Sequence, residues 1–173
     1  MQSGERVLIH GAAGAVGLFV AQLAHLRRAY VIATASARDA EFVKQLGADE
    51  VIDYKTSRFE DHVENVDIVF DAVGGDTLAR SWAVLKSSGR MVTIAADSED
   101  TADQRVKDAF FIVEPDQHQL VEVASLIDAG TLKAFLGAVV PLQDAAIAYS
   151  KAVPGKSYGK VVLAPRDDAQ TIL

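Results

Sequence analysis

The sequence predicts a doubly wound α/β fold, one parallel sheet of about six strands covered by helices on both faces. Three observations lead there. Short apolar runs alternate with helical patterns from residue 6 to about residue 130. The runs are apolar almost throughout instead of alternating with polar residues, as strands buried on both faces are. The first run hands over to the first helix through three closely spaced glycines, Gly11, Gly14 and Gly17.

The elements follow in order. RVLIH (6–10) reads as the first strand, and residues 14–28 place Val16, Phe19, Val20, Leu23 and Leu26 at helical spacing. YVIATA (30–35) is the second strand, 39–46 a short helix stopped by Gly47, and EVIDY (50–54) the third strand. VDIVFDAV (66–73) is the fourth, followed by Gly74-Gly75 and a helix around Leu78, Trp82 and Leu85. Ser87-Ser88-Gly89 turns into a fifth strand, RMVTIAA (90–96). The polar stretch 97–107 reads as a loop with room for a helical turn, AFFIV (109–113) as a sixth, edge strand, and 116–129 as an amphipathic helix closed by Gly130. The tail differs: AFLGAVVPL (134–142) and KSYGKVVLAP (156–165) are strand-like around a helix near 143–152, too β-rich to be another turn of the same winding. The expected division is therefore 1–133 and 134–173.

Composition excludes several function classes. The 173 residues are 50% hydrophobic and 24% charged, enough apolar mass for a core. The net charge of −7, with acids and bases interleaved, argues against a nucleic-acid or anionic-membrane surface. There is no cysteine, so disulfides and thiolate zinc sites are excluded. No stretch approaches the roughly 20 apolar residues of a membrane span, and the first ten residues carry no secretory apolar core. A cytoplasmic location is the expectation.

The glycine turn carries the chemistry. Backbone N–H groups in the first turn of a helix lack internal partners, and the helix dipole adds positive charge there. A pyrophosphate docks on such an end if no Cβ blocks it. Aligned to G-x-G-x-x-G, the chain reads Ala12-Ala13-Gly14-Ala15-Val16-Gly17. Gly14 would allow phosphate to approach, Ala15 and Val16 would present N–H groups, and Gly17 would let the helix pack on the strand. Dinucleotide binding by a Rossmann-type domain is the reading. In NAD-binding sheets a carboxylate ends the second strand and bonds the ribose 2′-hydroxyl. Here Ser36, Ala37 and Arg38 follow that strand, and the first carboxylate is Asp39. Serine and arginine bond a 2′-phosphate, which favours NADPH over NADH, with Asp39 the opposing feature.

With GERVLIHGAAGAVG, LGADEVIDY, VDIVFDAVGG, SSGRMVTIA and YGKVVL in this order, the chain resembles the medium-chain dehydrogenase/reductase superfamily, most closely its zinc-independent, quinone-oxidoreductase-like branch. The resemblance implies that Tyr54 lies near the 2′-phosphate, with Arg38 the best match for the basic residue beside it. It implies that Ala72, Val73, Gly74 and Ala95 line the route to the nicotinamide. It implies hydride transfer from NADPH to a quinone or an α,β-unsaturated carbonyl, with no metal. Members are about twice as long, so residues 134–173 would complete a GroES-like catalytic domain absent from this chain, which holds no identifiable catalytic residue. It further implies a homodimer that pairs strand 109–113 with its two-fold mate. The other reading left open is a non-catalytic, NADP-binding redox sensor.

Other active-site patterns are missing. Short-chain reductases pair a catalytic Tyr with Lys four residues on; here Tyr30, Tyr54, Tyr149 and Tyr158 are followed at that offset by Thr34, Arg58, Val153 and Val162. No G-x-S-x-G elbow occurs. His10, His25, His62 and His118 are scattered, and His10, beside the glycines, is expected to have a packing role.

Overall fold

A computed structural model describes residues 1–95, 98–99, 101–149, 153 and 158–165. The chain divides into two compact units, Met1–Leu132 and Lys133–Leu173.

The first unit is built on a five-stranded parallel sheet in the order β3-β2-β1-β4-β5. The strands are β1 (Arg6–His10), β2 (Tyr30–Ala35), β3 (Glu50–Asp53), β4 (Val66–Asp71) and β5 (Leu85–Thr93). β1 lies between β2 and β4, so Val7, Leu8, Ile9 and His10 are all fully buried, which is why its sequence shows no alternation. Leu8, Ile32 and Val69 from neighbouring strands form a core with Phe59, Val63, Leu78 and Met91. The order reverses direction between β1 and β4, and an open α/β sheet places its binding crevice beyond the carboxyl ends of the strands at such a point.

The helices are α1 (Gly17–Leu26), α2 (Ala40–Gln45), α3 (Gly75–Ser81), α4 (Gln104–Ala109) and α5 (Gln117–Asp128). α1 sits on a different face from the one its spacing predicts. Gly17, Leu18, Ala21 and Ala24 are buried, whereas Val16 and Leu26 are exposed and Phe19, Val20 and Leu23 half-buried. Small residues let the helix axis approach the sheet, and that closeness outweighs burial of the larger side chains.

Two further expectations are corrected. β5 begins at Leu85, so Ser87-Ser88-Gly89 lie within the strand and the preceding helix is shorter than its apolar spacing suggests. The helical turn allowed for in 97–107 is the start of α4, which Asp103 caps by accepting from the Arg105 N–H at 2.9 Å. Residues 97 and 100 of that stretch, and residue 96 of the expected fifth strand, lie outside the described residues.

The second correction is that AFFIV (109–113) is no strand. Ala109 ends α4, a single parallel bridge joins Phe110 to Thr93, and Phe111, Ile112 and Val113 then run exposed. The sheet therefore has five strands. The helix already consumes the first residue of the run, and one N–H bond, Phe111 to the Thr93 carbonyl at 2.9 Å, does not propagate a ladder.

The second unit is a β-α-β arrangement of β6 (Leu136–Pro141), α6 (Ala145–Tyr149) and β7 (Lys160–Ala164), with the two strands paired in parallel. Residues 150–152 of the expected helix and 156–157 of the expected strand lie outside the described residues.

Candidate functional site

The carboxyl ends of the strands of the first unit open into a cleft of about 950 Å³. One wall is the glycine turn. After His10 the chain passes through Gly11 and enters α1 at Gly17, with the Gly14 N–H on the Gly11 carbonyl at 2.9 Å. A Cβ at Gly17 would overlap the Gly11 carbonyl oxygen and lie 2.8 Å from the Ala12 Cα, so only glycine fits there. A Cβ at Gly14 would lie 3.0 Å from the same oxygen, a tight but smaller conflict. The N–H groups of Ala15, Val16 and Gly17 have no acceptor among the described residues and stand where the helix dipole is positive.

Beneath the cleft a row of polar residues runs across four strands, and His10 and Thr34 of this row line the cleft itself. Parallel register places Thr34 beside His10, His10 beside Asp71, and Asp71 beside Thr93, and all four are buried. Ser81 spends its single proton on the Thr77 carbonyl at 2.7 Å, so it accepts from the His10 Nε2–H at 2.9 Å. His10 Nδ1 is then unprotonated and accepts from the Thr34 hydroxyl at 3.0 Å. Burial, only partly opposed by the charge of Asp71, pushes the imidazole pKa from 6.5 down to about 4. His10 is neutral, and Phe59 meets its ring edge-on at 4.6 Å.

Asp71 organises the turn after β4. Its carboxylate accepts from Thr93 Oγ1 at 2.9 Å, from the Val73 N–H at 3.1 Å and from the Gly74 N–H at 3.0 Å. This fixes Ala72 and Val73 as part of the cleft lining. Gly74 faces Asp71 and Ala95 is buried with its N–H on Thr93 Oγ1, so neither lines the cleft; Ile94 does so in their place.

At the β2–β3 end the Tyr54 N–H bonds the Ala35 carbonyl at 3.3 Å, which brings the 60% exposed tyrosine beside the buried Ser36. Ser36 Oγ donates to Asp39 Oδ2 at 2.5 Å, and Arg38 Nε donates to Asp39 Oδ1 at 3.2 Å. Asp39 lines the cleft, whereas Arg38, 87% exposed, lies outside it. Of the residues singled out from sequence, Gly14, Ala15, Val16, Gly17, Ser36, Tyr54, Ala72 and Val73 thus meet around one cleft; Arg38, Gly74 and Ala95 do not.

Sequence reasoning missed the opposite wall. Ser57 and Arg58 follow β3, and Asp76, Thr77 and Arg80 come from α3. Arg80 Nη1 bonds both oxygens of Glu60 at 2.8 and 2.6 Å, and Arg58 donates to Glu60 Oε1 from Nε at 3.0 Å and from Nη2 at 2.7 Å. Burial pushes the Glu60 carboxyl up, but the bonds from Arg80, its own backbone N–H and Arg58 outweigh this and hold it at about 2. The Arg80 guanidinium also lies over Phe59, 4.9 Å from the ring centroid. The only local signal for this wall was Arg58, four residues after Tyr54.

The residues fit a dinucleotide. The glycine turn closes so tightly on Gly11 and Ala12 that a Cβ is excluded at Gly17 and crowded at Gly14, the N–H groups of Ala15, Val16 and Gly17 have no acceptor among the described residues, and the cleft volume lies within the range of cofactor sites. Among the described residues no group of three His, Asp or Glu is placed to hold a metal ion.

Comparison with known proteins agrees with this geometry. Residues 46–163, more than half of the chain, match the family model for zinc-binding dehydrogenases. A probable mitochondrial zinc-binding oxidoreductase of Arthroderma benhamiae is 33% identical over 92% of this chain and 52% of its own length. The quinone oxidoreductase of Coxiella burnetii superposes with a TM-score of 0.84 at 30% identity, covering 95% of this chain and 54% of that one. The Escherichia coli quinone oxidoreductase, solved with NADPH, gives 0.76 at 26% identity, covering 95% of this chain and 58% of that one. The chain spans about half the length of the curated relatives it matches.

Proposed function

Since this chain belongs to the zinc-binding dehydrogenase family, in the quinone-oxidoreductase-like part of the medium-chain dehydrogenase/reductase superfamily, we propose that it forms the NADP(H)-binding part of an oxidoreductase. The observation that carries this reading is the Gly14–Gly17 turn at the switch point of the sheet, where side chains are sterically excluded and helix N–H groups face a dinucleotide-sized cleft. The N–H groups of Ala15, Val16 and Gly17 would hold the pyrophosphate. Ser36 and Tyr54 would meet the adenosine ribose, and Ala72 and Val73 would flank the path toward the nicotinamide. When bound, the nicotinamide supplies a hydride, here for a quinone or an α,β-unsaturated carbonyl, without a metal. The chain's own contribution is to bind, to orient and to keep a neutral imidazole, not a cation, beneath the cleft.

NADPH is the preferred cofactor in this proposal, and the cytoplasm is the location. Residues 134–173 would serve a catalytic domain of the complete enzyme. Exposed Phe111, Ile112 and Val113 support association of two copies through that run, which an Ile112→Glu variant would abolish in sedimentation.

Calorimetric titration with NADPH and with NADH tests the core of the proposal. Binding of NADPH severalfold tighter than NADH is expected. Equal affinities would remove the NADPH preference, and binding of neither would reduce the glycine turn to a structural feature.

A further inference from the structure

The 2′-end of the cleft holds two arginines in different situations. Arg38 turns outward, and its Nε lies on Asp39, whose other oxygen takes the Ser36 hydroxyl. Asp39 is an acceptor-only carboxylate in the cleft lining, so Arg38 opposes its charge from the solvent side. Arg58 stands inside the lining, beyond a turn in which the Thr56 and Ser57 N–H groups bond the Asp53 carbonyl at 3.2 and 3.0 Å. That turn starts at Tyr54, which is already tied to β2 next to Ser36.

Glu60 orients Arg58. It engages the Nε and Nη2 side of the guanidinium and leaves Nη1 with no acceptor among the described residues. A planar guanidinium gripped along one edge presents its other edge in a geometry suited to two phosphate oxygens. Glu60 is itself gripped by Arg80, so one 16% exposed carboxylate serves two cations. Asp76, the other carboxylate on Arg80, is 83% exposed, so water screens its charge. Arg58 and Arg80 thus bring two guanidinium groups to this wall of the cleft, with Glu60 held between them.

From this geometry we propose that Arg58, positioned by Glu60, is the residue that recognises the 2′-phosphate of NADPH, and that Arg38 instead restrains Asp39. The assignment rests on the dinucleotide reading of the cleft. It makes Arg58 a specificity-determining residue and Glu60 a positioning residue.

The test is equilibrium binding of NADPH, NADH and 2′-AMP to the full chain and to Arg58→Ala, Arg58→Lys, Arg38→Ala and Glu60→Gln. Arg58→Ala is expected to raise the Kd for NADPH at least tenfold, to leave that for NADH within twofold and to abolish competition by 2′-AMP. Arg58→Lys keeps the charge without the fork and should lose about threefold. Glu60→Gln should weaken NADPH more than NADH, and Arg38→Ala should shift their ratio less than threefold. An unchanged ratio in both Arg58 variants, or a ratio that collapses in Arg38→Ala, overturns the assignment while leaving dinucleotide binding intact. A parent chain that binds neither dinucleotide overturns the reading and the assignment together.

Discussion

The Nε2–H of His10 donates to the hydroxyl of Ser81 at 2.9 Å, tying the end of β1 to the last residue of α3 beneath the cleft. Because Ser81 has already given its proton to Thr77, this bond requires a hydrogen on Nε2, and protonating Nδ1 as well would remove the acceptor of the Thr34 hydroxyl and place a buried cation there.

Acid should therefore destabilise the first unit before any carboxylate titrates. His10 has a folded pKa of about 4 against an ordinary 6.5, so the unfolded chain binds more protons between these values and stability falls as pH drops through that window. Between pH 7 and pH 5 the expected loss is about 2 kcal/mol. Glu60, lowered from 4.5 to about 2, contributes stability that is lost progressively as pH falls from about 4.5 toward 2, below the interval from pH 7 to pH 5. Urea unfolding at the two pH values measures the loss, and a His10→Asn variant should be nearly flat across it.

Gly17→Ala and Gly14→Ala should separate fold from binding. The Gly17 Cβ meets backbone on two sides and cannot be relieved by a rotamer, so a loss of about 2–3 kcal/mol in unfolding free energy is expected. At Gly14 the single 3.0 Å contact needs only a small adjustment, so stability should fall by less than about 1 kcal/mol. Under the proposed pyrophosphate role of this turn, the added Cβ should lower NADPH affinity about tenfold. Thermal melts and titration of both variants check this; a Gly14→Ala protein with unchanged affinity would remove the phosphate role from this glycine.

The parts of the molecule that were legible in the sequence are those whose cause is local. Val7, Leu8 and Ile9 form a strand buried on both faces, and the run says so without any knowledge of the partners. Gly17 is needed because of Gly11 and Ala12, a few residues away. What escaped depends on distant partners. His10, Thr34, Asp71 and Thr93 look like unrelated polar residues near strand ends, and only the register of four strands turns them into one row. Arg58 and Arg80 have no common pattern in the chain, and Glu60 joins them through the packing of α3 beside the segment after β3. For Phe110, Phe111, Ile112 and Val113 the β-propensity was real, but pairing with β5 stops after one bridge, so propensity alone did not make a strand.

Asp71→Ala should be more damaging than any surface change. Its carboxylate is fully buried and satisfies Thr93 Oγ1 and the N–H groups of Val73 and Gly74 at once, so truncation leaves two buried donors and one part-buried donor without this acceptor. A loss of about 3 kcal/mol or more is expected, with Asp71→Asn recovering part of it, and chemical denaturation of both variants measures the difference. Because the same bonds set the Ala72-Val73 turn, dinucleotide affinity should fall in Asp71→Asn even where the protein remains folded.

Asp39→Asn should shift cofactor choice in the opposite direction from the Arg58 variants. The carboxylate now draws in both the Ser36 hydroxyl and the Arg38 guanidinium and adds a negative charge to the lining. Asparagine is nearly the same size, still accepts a hydrogen bond and carries no charge, so repulsion of a 2′-phosphate is relieved while Ser36 and Arg38 keep a weaker anchor. At a partly exposed site the gain is worth about 1 kcal/mol, or roughly a fivefold tighter NADPH complex with NADH little changed. Parallel titrations at two salt concentrations would check the cause, because an electrostatic gain must shrink as ionic strength rises. A gain that ignored salt, or one shared equally by NADH, would mean that Asp39 acts through the shape of the loop and not through its charge.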